Sequence, residues 1–160
     1  MGVPQKRERV FFIGLRNDFD LPKLVLSFNE KPILFGEVDD ENGNELTEHQ
    51  KWLWNRKKIT DNSLGDINER ERNILSDFNG GIVHDNKVIG TITASGKYIK
   101  YKSAKHLSNN SIIKIGSFPL DYNFKNIKPI YLIGMSVPPI VTAQISHQIH
   151  KQWLKKIKYE

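Results

Sequence analysis

The sequence contains no cysteine. That single absence removes disulfides, thiolate metal sites and thiol nucleophiles together. Long apolar runs are missing too. No stretch reaches the roughly 18 consecutive apolar residues of a membrane-spanning helix, so no transmembrane helix is expected. The amino terminus turns charged at once, at Lys6-Arg7-Glu8-Arg9, and lacks the apolar core of a signal peptide. A cytoplasmic location follows as the default. Internal repeats and low-complexity tracts are absent as well.

What remains is an ordinary globular composition. The 160 residues suffice for one domain, or for one small domain plus an extension. A hydrophobic fraction of 38% supports a core, and 26% charged residues argue against disorder. Lys and Arg outnumber Asp and Glu by 24 to 18, a net charge of +6. This surplus favours a polyanionic partner through counterion release and steering. The plainer alternative is a basic soluble protein with no such partner.

Along the chain, Val10 to Leu15 is a continuous apolar run, the pattern of a strand buried in a parallel sheet. Leu24–Phe28 and Lys31–Phe35 are short and strand-like, punctuated by Pro22 and Pro32. Residues 36–46 are acidic and rich in Gly and Asn, which predicts a solvent loop. Thr47 with Gln50 forms a capping-box pattern, predicting a helix over 48–58. Asp66 with Glu69 is a similar start. Ile67, Ile74, Leu75 and Phe78 then share one helical face, ended by Asn79-Gly80-Gly81. Gly81–His84 and Lys87–Thr93 flank Asp85-Asn86, as in a hairpin. Tyr98–Tyr101 reads as a strand. Ser108 caps a helix carrying Ile112, Ile113 and Ile115, which Phe118-Pro119 stops. In the last helix Ser136 serves as cap and Pro138 suits the first turn. Val141, Ile145, Ile149, Trp153 and Ile157 recur every four residues. Lys155, Lys156 and Lys158 sit where the helix dipole favours cations.

Two blocks carry the chemistry. Gln5-x-Arg7-x-Arg9 puts three donors on alternate positions of an extended segment, hence on one face. Such an array suits phosphate oxygens and a base carbonyl; alone, it equally describes a solvated strand edge. Near the other end, Gly134-Met135-Ser136-Val137-Pro138-Pro139 is a Gly-x-Ser-x-Pro turn feeding a helix. Backbone N–H groups there can approach a ligand. Taken alone, that segment equally describes an ordinary capped helix.

With Gly-Val-Pro before it and an apolar run after it, the first block resembles the eighth motif of DNA cytosine-5 methyltransferases. The second resembles their tenth motif, with Met135 in place of the usual Asn. Between them, Lys105-His106-Leu107-Ser108, Ser111, Lys114 and Phe118-Pro119-x-Asp121-Tyr122 resemble an eroded ninth motif. There Lys105 and Lys114 stand for arginines and Ser111 for a glutamate. Thr91-Ile92-Thr93-Ala94 is similar to the Thr-Leu signature of the target recognition domain.

The resemblance implies an α+β fold: a small target-recognition domain plus one strand and one carboxy-terminal helix belonging to a Rossmann-like methyltransferase domain. It divides the chain into 1–19 (eighth-motif strand), 20–104 (recognition domain), 105–132 (ninth motif) and 133–160 (tenth-motif loop and helix). It implies that Arg9 contacts an extruded cytosine, with Gln5 and Arg7 supporting the pocket. Thr91, Thr93, Lys105 and Lys114 would meet double-stranded DNA. Gly134, Met135, Ser136 and Val137 would border S-adenosylmethionine. Lys57, Lys58, Lys87, Lys97, Lys100 and Lys102 could meet phosphates or be a solvated face. The family reaction is thiolate addition at cytosine C6, methyl transfer to C5 and proton loss, often in restriction–modification.

The glycine-rich cofactor motif, the Pro-Cys loop and the Glu-Asn-Val block are all absent. The implied role is therefore that of a small subunit whose larger partner chain carries the cofactor and Pro-Cys motifs. An inactive remnant and a stand-alone DNA-binding specificity module are the alternatives. No metal is expected, because His147 and His150 lack a third ligand. Trp52, Trp54 and Trp153 read as core anchors rather than base-stacking platforms.

Overall fold

The structure, a computed structural model, describes residues 1–74 and 80–157. Leu75, Phe78, Asn79 and Lys158 lie outside them. Its elements are α1 (Phe35–Val38), α2 (Glu48–Trp54), α3 (Leu64–Arg72), β1 (Gly80–Val83), β2 (Lys97–Lys100), α4 (Asn109–Ile115), α5 (Pro129–Met135) and α6 (Pro139–Gln152). A 3-10 turn at Leu154–Lys156 follows. The architecture is a small α+β fold around a two-stranded parallel sheet.

Three caps explain three helices. Thr47 Oγ1 accepts the Gln50 N–H at 3.3 Å and Gln50 Oε1 accepts the Thr47 N–H at 3.0 Å, closing the expected box. The α3 cap is Ser63, one turn ahead of the expected start. Its hydroxyl accepts the Asp66 N–H at 3.1 Å, and the Asp66 carboxylate accepts the Ser63 N–H at 3.1 Å. Burial pushes the Asp66 pKa up, but these bonds and those of Asn62 carry it below the ordinary carboxylate value. Helix α3 ends at Asn73, which takes the left-handed conformation, well before the glycines expected to stop it. Gly80 and Gly81 instead open β1. Ser108 caps α4 as expected, accepting the Ser111 N–H at 2.9 Å.

No hairpin forms. The turn at Asp85-Asn86 is real, with the Lys87 N–H donating to the His84 carbonyl at 3.1 Å. The chain then leaves the sheet. Ile89 bridges Gln5, and β1 pairs in parallel with β2, Ile82 opposite Ile99. Parallel pairing requires a crossover, which residues 84–96 supply. Ser63 bridges Gly81 and His106 bridges Ile99, so each sheet edge gains a single-residue contact.

Side chains alternate across the sheet. Ile82 and Ile99 pack with Leu46, Leu53, Leu64 and Ile67 against α2 and α3. Val83 joins Phe35, Ile89, Ile92, Leu107, Ile112, Ile113, Ile115 and Ile133 in the second core cluster.

Three further expectations change. Val10–Leu15 is not a strand; Val10 is 80% and Phe12 96% exposed. A strand takes its hydrogen bonds from neighbouring strands, and none lies beside this segment among the described residues. Leu24–Phe28 and Lys31–Leu34 are likewise irregular, and Phe35 begins a helix. Gly134 is not in a turn but in the last turn of α5, and Ser136 closes that helix instead of capping α6. Together α5, α6 and the 3-10 turn span Pro129–Lys156, a largely apolar stretch of 28 residues. The break at 136–138 divides that span into two helices, each shorter than the ~20 residues a bilayer core requires.

Ile145 on α6 and Trp153 just past its end are buried. The Trp153 indole N–H donates to the Pro22 carbonyl at 2.8 Å, and Gln152 bonds both backbone groups of Val25. The two ends of the chain are thereby tied together.

Candidate functional site

The extended segment Gln5–Arg9 sits between the second core cluster and the α5–α6 corner. Gln5 is buried. Its amide donates to the Ile115 carbonyl at 3.0 Å and accepts from the Ile92 N–H at 3.4 Å. The Lys6 N–H donates to the Ile89 carbonyl at 2.8 Å. Arg7 reaches two carbonyls, Ile92 and Gly134, each at 2.8 Å. Its Nε is buried with no partner among the described residues. Burial and the neighbouring Arg9 lower the Arg7 pKa, yet a guanidinium stays charged at any physiological pH. Arg9 alone of the three turns outward, exposed, with the Glu8 carbonyl as its one partner among the described residues. Two of the three donors expected to face a ligand therefore organise the chain's own backbone.

The same segment lines a cleft of about 500 Å³ with Phe11, Val137, Pro138 and Val141. Residues from the two ends of the sequence thus share one concavity.

Helix α5 explains why position 134 is glycine. A Cβ there would lie 2.2 Å from the Ala94 nitrogen and 2.5 Å from its Cα. The helix rests directly on the Thr93-Ala94 backbone, and only glycine permits that approach. The Thr91 hydroxyl donates to the Lys6 carbonyl at 2.5 Å. Thr93 is exposed, and its N–H donates to the Tyr98 hydroxyl at 2.9 Å. Segments 5–9, 91–94 and 133–138 therefore form one hydrogen-bonded junction.

The four residues expected to border the cofactor offer it little polar chemistry. The Gly134 carbonyl accepts from Arg7, and the Ser136 hydroxyl donates to Ile133 at 3.0 Å. The Met135 side chain, 56% exposed, and Val137 on the cleft wall are what these residues have left to present. The set can flank S-adenosylmethionine but does not by itself hold it.

Sequence reasoning missed a buried polar cluster at the start of α4. Lys100 is 1% exposed, so it is not available to phosphates. Its ammonium lies 2.6 Å from Asp39 and 2.7 Å from the Asn42 carbonyl. The Ser108 hydroxyl lies 2.7 and 2.8 Å from the Asp40 oxygens. The Ser111 hydroxyl lies 2.8 Å from Asp39 and 2.9 Å from Asp40. Burial pushes the Asp40 pKa up, but Ser108, Ser111, the Asn42 N–H and Lys100 bring it below the ordinary value. The stretch taken for a solvent loop thus clamps α4. It supplies carboxylates around Ser111, where the resemblance puts a glutamate. The signal was Asp-Asp beside Asn-Gly, which composition alone reads as solvated.

Other basic residues scatter. Lys105 bridges Glu45 through its backbone and shares a second cleft, about 360 Å³, with Lys100, Lys102, Asp39 and Asp85. Lys114 is half-buried on α4 and makes no ion pair among the described residues. The Lys57 ammonium sits 3.2 Å from the Trp54 ring centre, and burial lowers its pKa. Lys58, Lys87, Lys97 and Lys102 are exposed. Trp54 and Trp153 are anchors as expected, whereas Trp52 is partly exposed beneath Arg56, 3.9 Å away. No group of three His, Asp or Glu residues suited to a metal occurs among the described residues.

The family model for C-5 cytosine-specific DNA methylase matches residues 1–151. The chain belongs to that family. No curated protein matches it. The match runs from the amino terminus into α6, so the cleft, the Thr91–Ala94 segment and the α5–α6 corner all lie within it. Methyl transfer to DNA cytosine is the family's activity, and DNA its substrate. This methylase chain nonetheless has no cysteine in its 160 residues.

Proposed function

We propose that these residues form the DNA-recognition and cofactor-flanking part of a DNA cytosine-5 methyltransferase. The thiolate nucleophile and the glycine-rich cofactor loop come from polypeptide outside them. One observation carries this reading: Gln5–Arg9 and Val137–Pro138 line the same cleft.

In this reading Arg9 is the catalytic residue of the chain, because it lines the cleft, is exposed, and pairs with no carboxylate among the described residues. It donates to the carbonyl edge of an extruded cytosine. Gln5 and Arg7 are positioning residues. They fix the segment carrying Arg9 against the Ile92 and Gly134 backbones. S-adenosylmethionine supplies the methyl group when bound. Met135 and Val137 then close one side of its pocket, while Thr91, Thr93, Lys105 and Lys114 lie toward the DNA. The exposed run Val10–Leu15 completes the sheet of the polypeptide carrying the nucleophile.

The test is methyl transfer from radiolabelled S-adenosylmethionine to mixed-sequence DNA. This chain, a polypeptide with the glycine-rich and Pro-Cys motifs encoded next to it, and their mixture are compared. Activity confined to the mixture, and lost with Arg9→Ala, is the expected result. Silence of the mixture with an upstream product lacking the Pro-Cys loop would favour an inactive remnant.

A further inference from the structure

The loop Thr91–Gly96 takes its shape from one side chain. The Tyr98 hydroxyl accepts the Thr93 N–H at 2.9 Å, donates to the Thr91 carbonyl at 3.1 Å and lies 3.4 Å from Thr93 Oγ1. The Gly96 N–H donates to the Thr93 carbonyl at 3.1 Å and closes the turn. Two glycines make room for the ring. A Cβ at Gly96 would lie 2.5 Å from it, and one at Gly81 3.3 Å. Beneath, the ring packs on the core cluster of Val83, Ile92 and Ile113. The phenol is thus rooted in the core; its ring edge lies against Gly96, and its oxygen makes the polar contacts to the loop. Beside it opens a cleft of about 370 Å³ bounded by Ser63, Gly81, Thr93, Ser95, Gly96 and Tyr98. Thr93 and Ser95 there are exposed. Short hydroxyl side chains of this kind bond to base edges or phosphates with little reach, so their position decides what they read.

We propose that Tyr98 is a positioning residue for sequence specificity: its hydroxyl holds the Thr91–Gly96 loop in the shape in which Thr93 and Ser95 read DNA. This rests on the DNA-recognition reading above. Because Thr91 is also tied to Lys6, the loop holds a fixed place relative to Arg9. Recognition and base binding are then set by one rigid junction.

The test is Tyr98→Phe, which keeps the ring and removes the oxygen. Amide hydrogen exchange of the chain is measured alongside binding of duplexes selected from a random pool by the wild-type chain. In the variant, exchange at Thr93 should rise about tenfold or more, while Leu53 and Ile67 in the other core cluster keep their protection. Discrimination between the selected duplex and its single-base variants should fall about fivefold or more. Affinity for an unselected duplex should stay within about twofold, since phosphate contacts are sequence-independent. Unchanged discrimination in Tyr98→Phe would overturn the inference, and so would unchanged Thr93 protection. Failure of the wild-type chain to bind any duplex, both alone and mixed with the nucleophile-bearing polypeptide, would instead overturn the DNA-recognition reading beneath it.

Discussion

Arg7 and Gly134 stand 127 positions apart, and the Arg7 guanidinium donates to the Gly134 carbonyl at 2.8 Å. The same guanidinium reaches the Ile92 carbonyl at 2.8 Å. One side chain therefore joins the extended amino-terminal segment, the candidate recognition loop and α5.

Arg7 and Arg9 should consequently separate in their effects. Charge-assisted bonds are each worth about 1.5–3 kcal/mol net, and partial exposure places Arg7→Ala toward a total loss of about 2–3 kcal/mol. Arg7→Lys keeps the charge but not the fork, and should lose about half as much. Arg9→Ala, at an exposed site, should stay within about 0.5 kcal/mol. Urea unfolding of the three variants checks this. Equal losses for Arg7→Ala and Arg9→Ala would refute the division of roles.

Gly134→Ala should be costly for a reason unrelated to cofactor. Its new Cβ would meet the Ala94 nitrogen at 2.2 Å, and backbone cannot rotate aside as a side chain can. Overpacking of this kind costs about 1–3 kcal/mol. Gly43→Ala makes a control at a distant site. There φ is +148° and a Cβ would meet the His106 carbonyl, so stability should fall without disturbing the Thr93-Ala94 backbone. Thermal melts with amide exchange at Thr93, whose N–H is held by the Tyr98 hydroxyl, distinguish the two variants. Unchanged Thr93 protection in Gly134→Ala would show that the close approach is not maintained in solution.

The Asp40 cluster predicts an acid limb. The folded pKa of Asp40 lies below its unfolded value, near 3.9. Its stabilising contribution is therefore present above about pH 4 and lost as pH falls through the lower folded value. Asp40→Asn cannot titrate, so its stability should fall less steeply over that acid window while starting lower at pH 7. Denaturant midpoints from pH 7 down to 3 read this directly. Parallel curves for the two proteins would mean that Asp40 is not held ionised by Ser108 and Ser111.

What the sequence announced was local. Thr47 with Gln50 and Ser108 with its downstream isoleucines are self-contained signals, because a cap bonds within its own turn. Helix α5 carries no such signal; Lys128 makes no side-chain cap bond, and only Pro129 marks its start. The parallel pairing of Ile82 with Ile99 and the burial of Lys100 rest on partners far along the chain. No window of alternating residues encodes either. The chemistry of Gln5, Arg7 and Arg9 was legible in the same way as the caps. Their directions were not, because Gln5 and Arg7 turn toward carbonyls contributed by residues 92, 115 and 134.

The apolar run at Val10–Leu15 offers the last prediction. Phe12 is 96% exposed, so Phe12→Glu removes no contact within the chain and should shift its stability by no more than about 0.5 kcal/mol. The same change should improve solubility, because exposed apolar patches drive self-association. In the methyl-transfer mixture it should abolish activity. A glutamate inserted into a sheet covered on both faces is a buried charge without a partner. Light scattering of the isolated chain and activity of the mixture give the two readouts. A variant that stays fully active when mixed would show that this run is not the surface completed by the nucleophile-bearing polypeptide. A variant that unfolds would show that Phe12 is already buried in the chain itself.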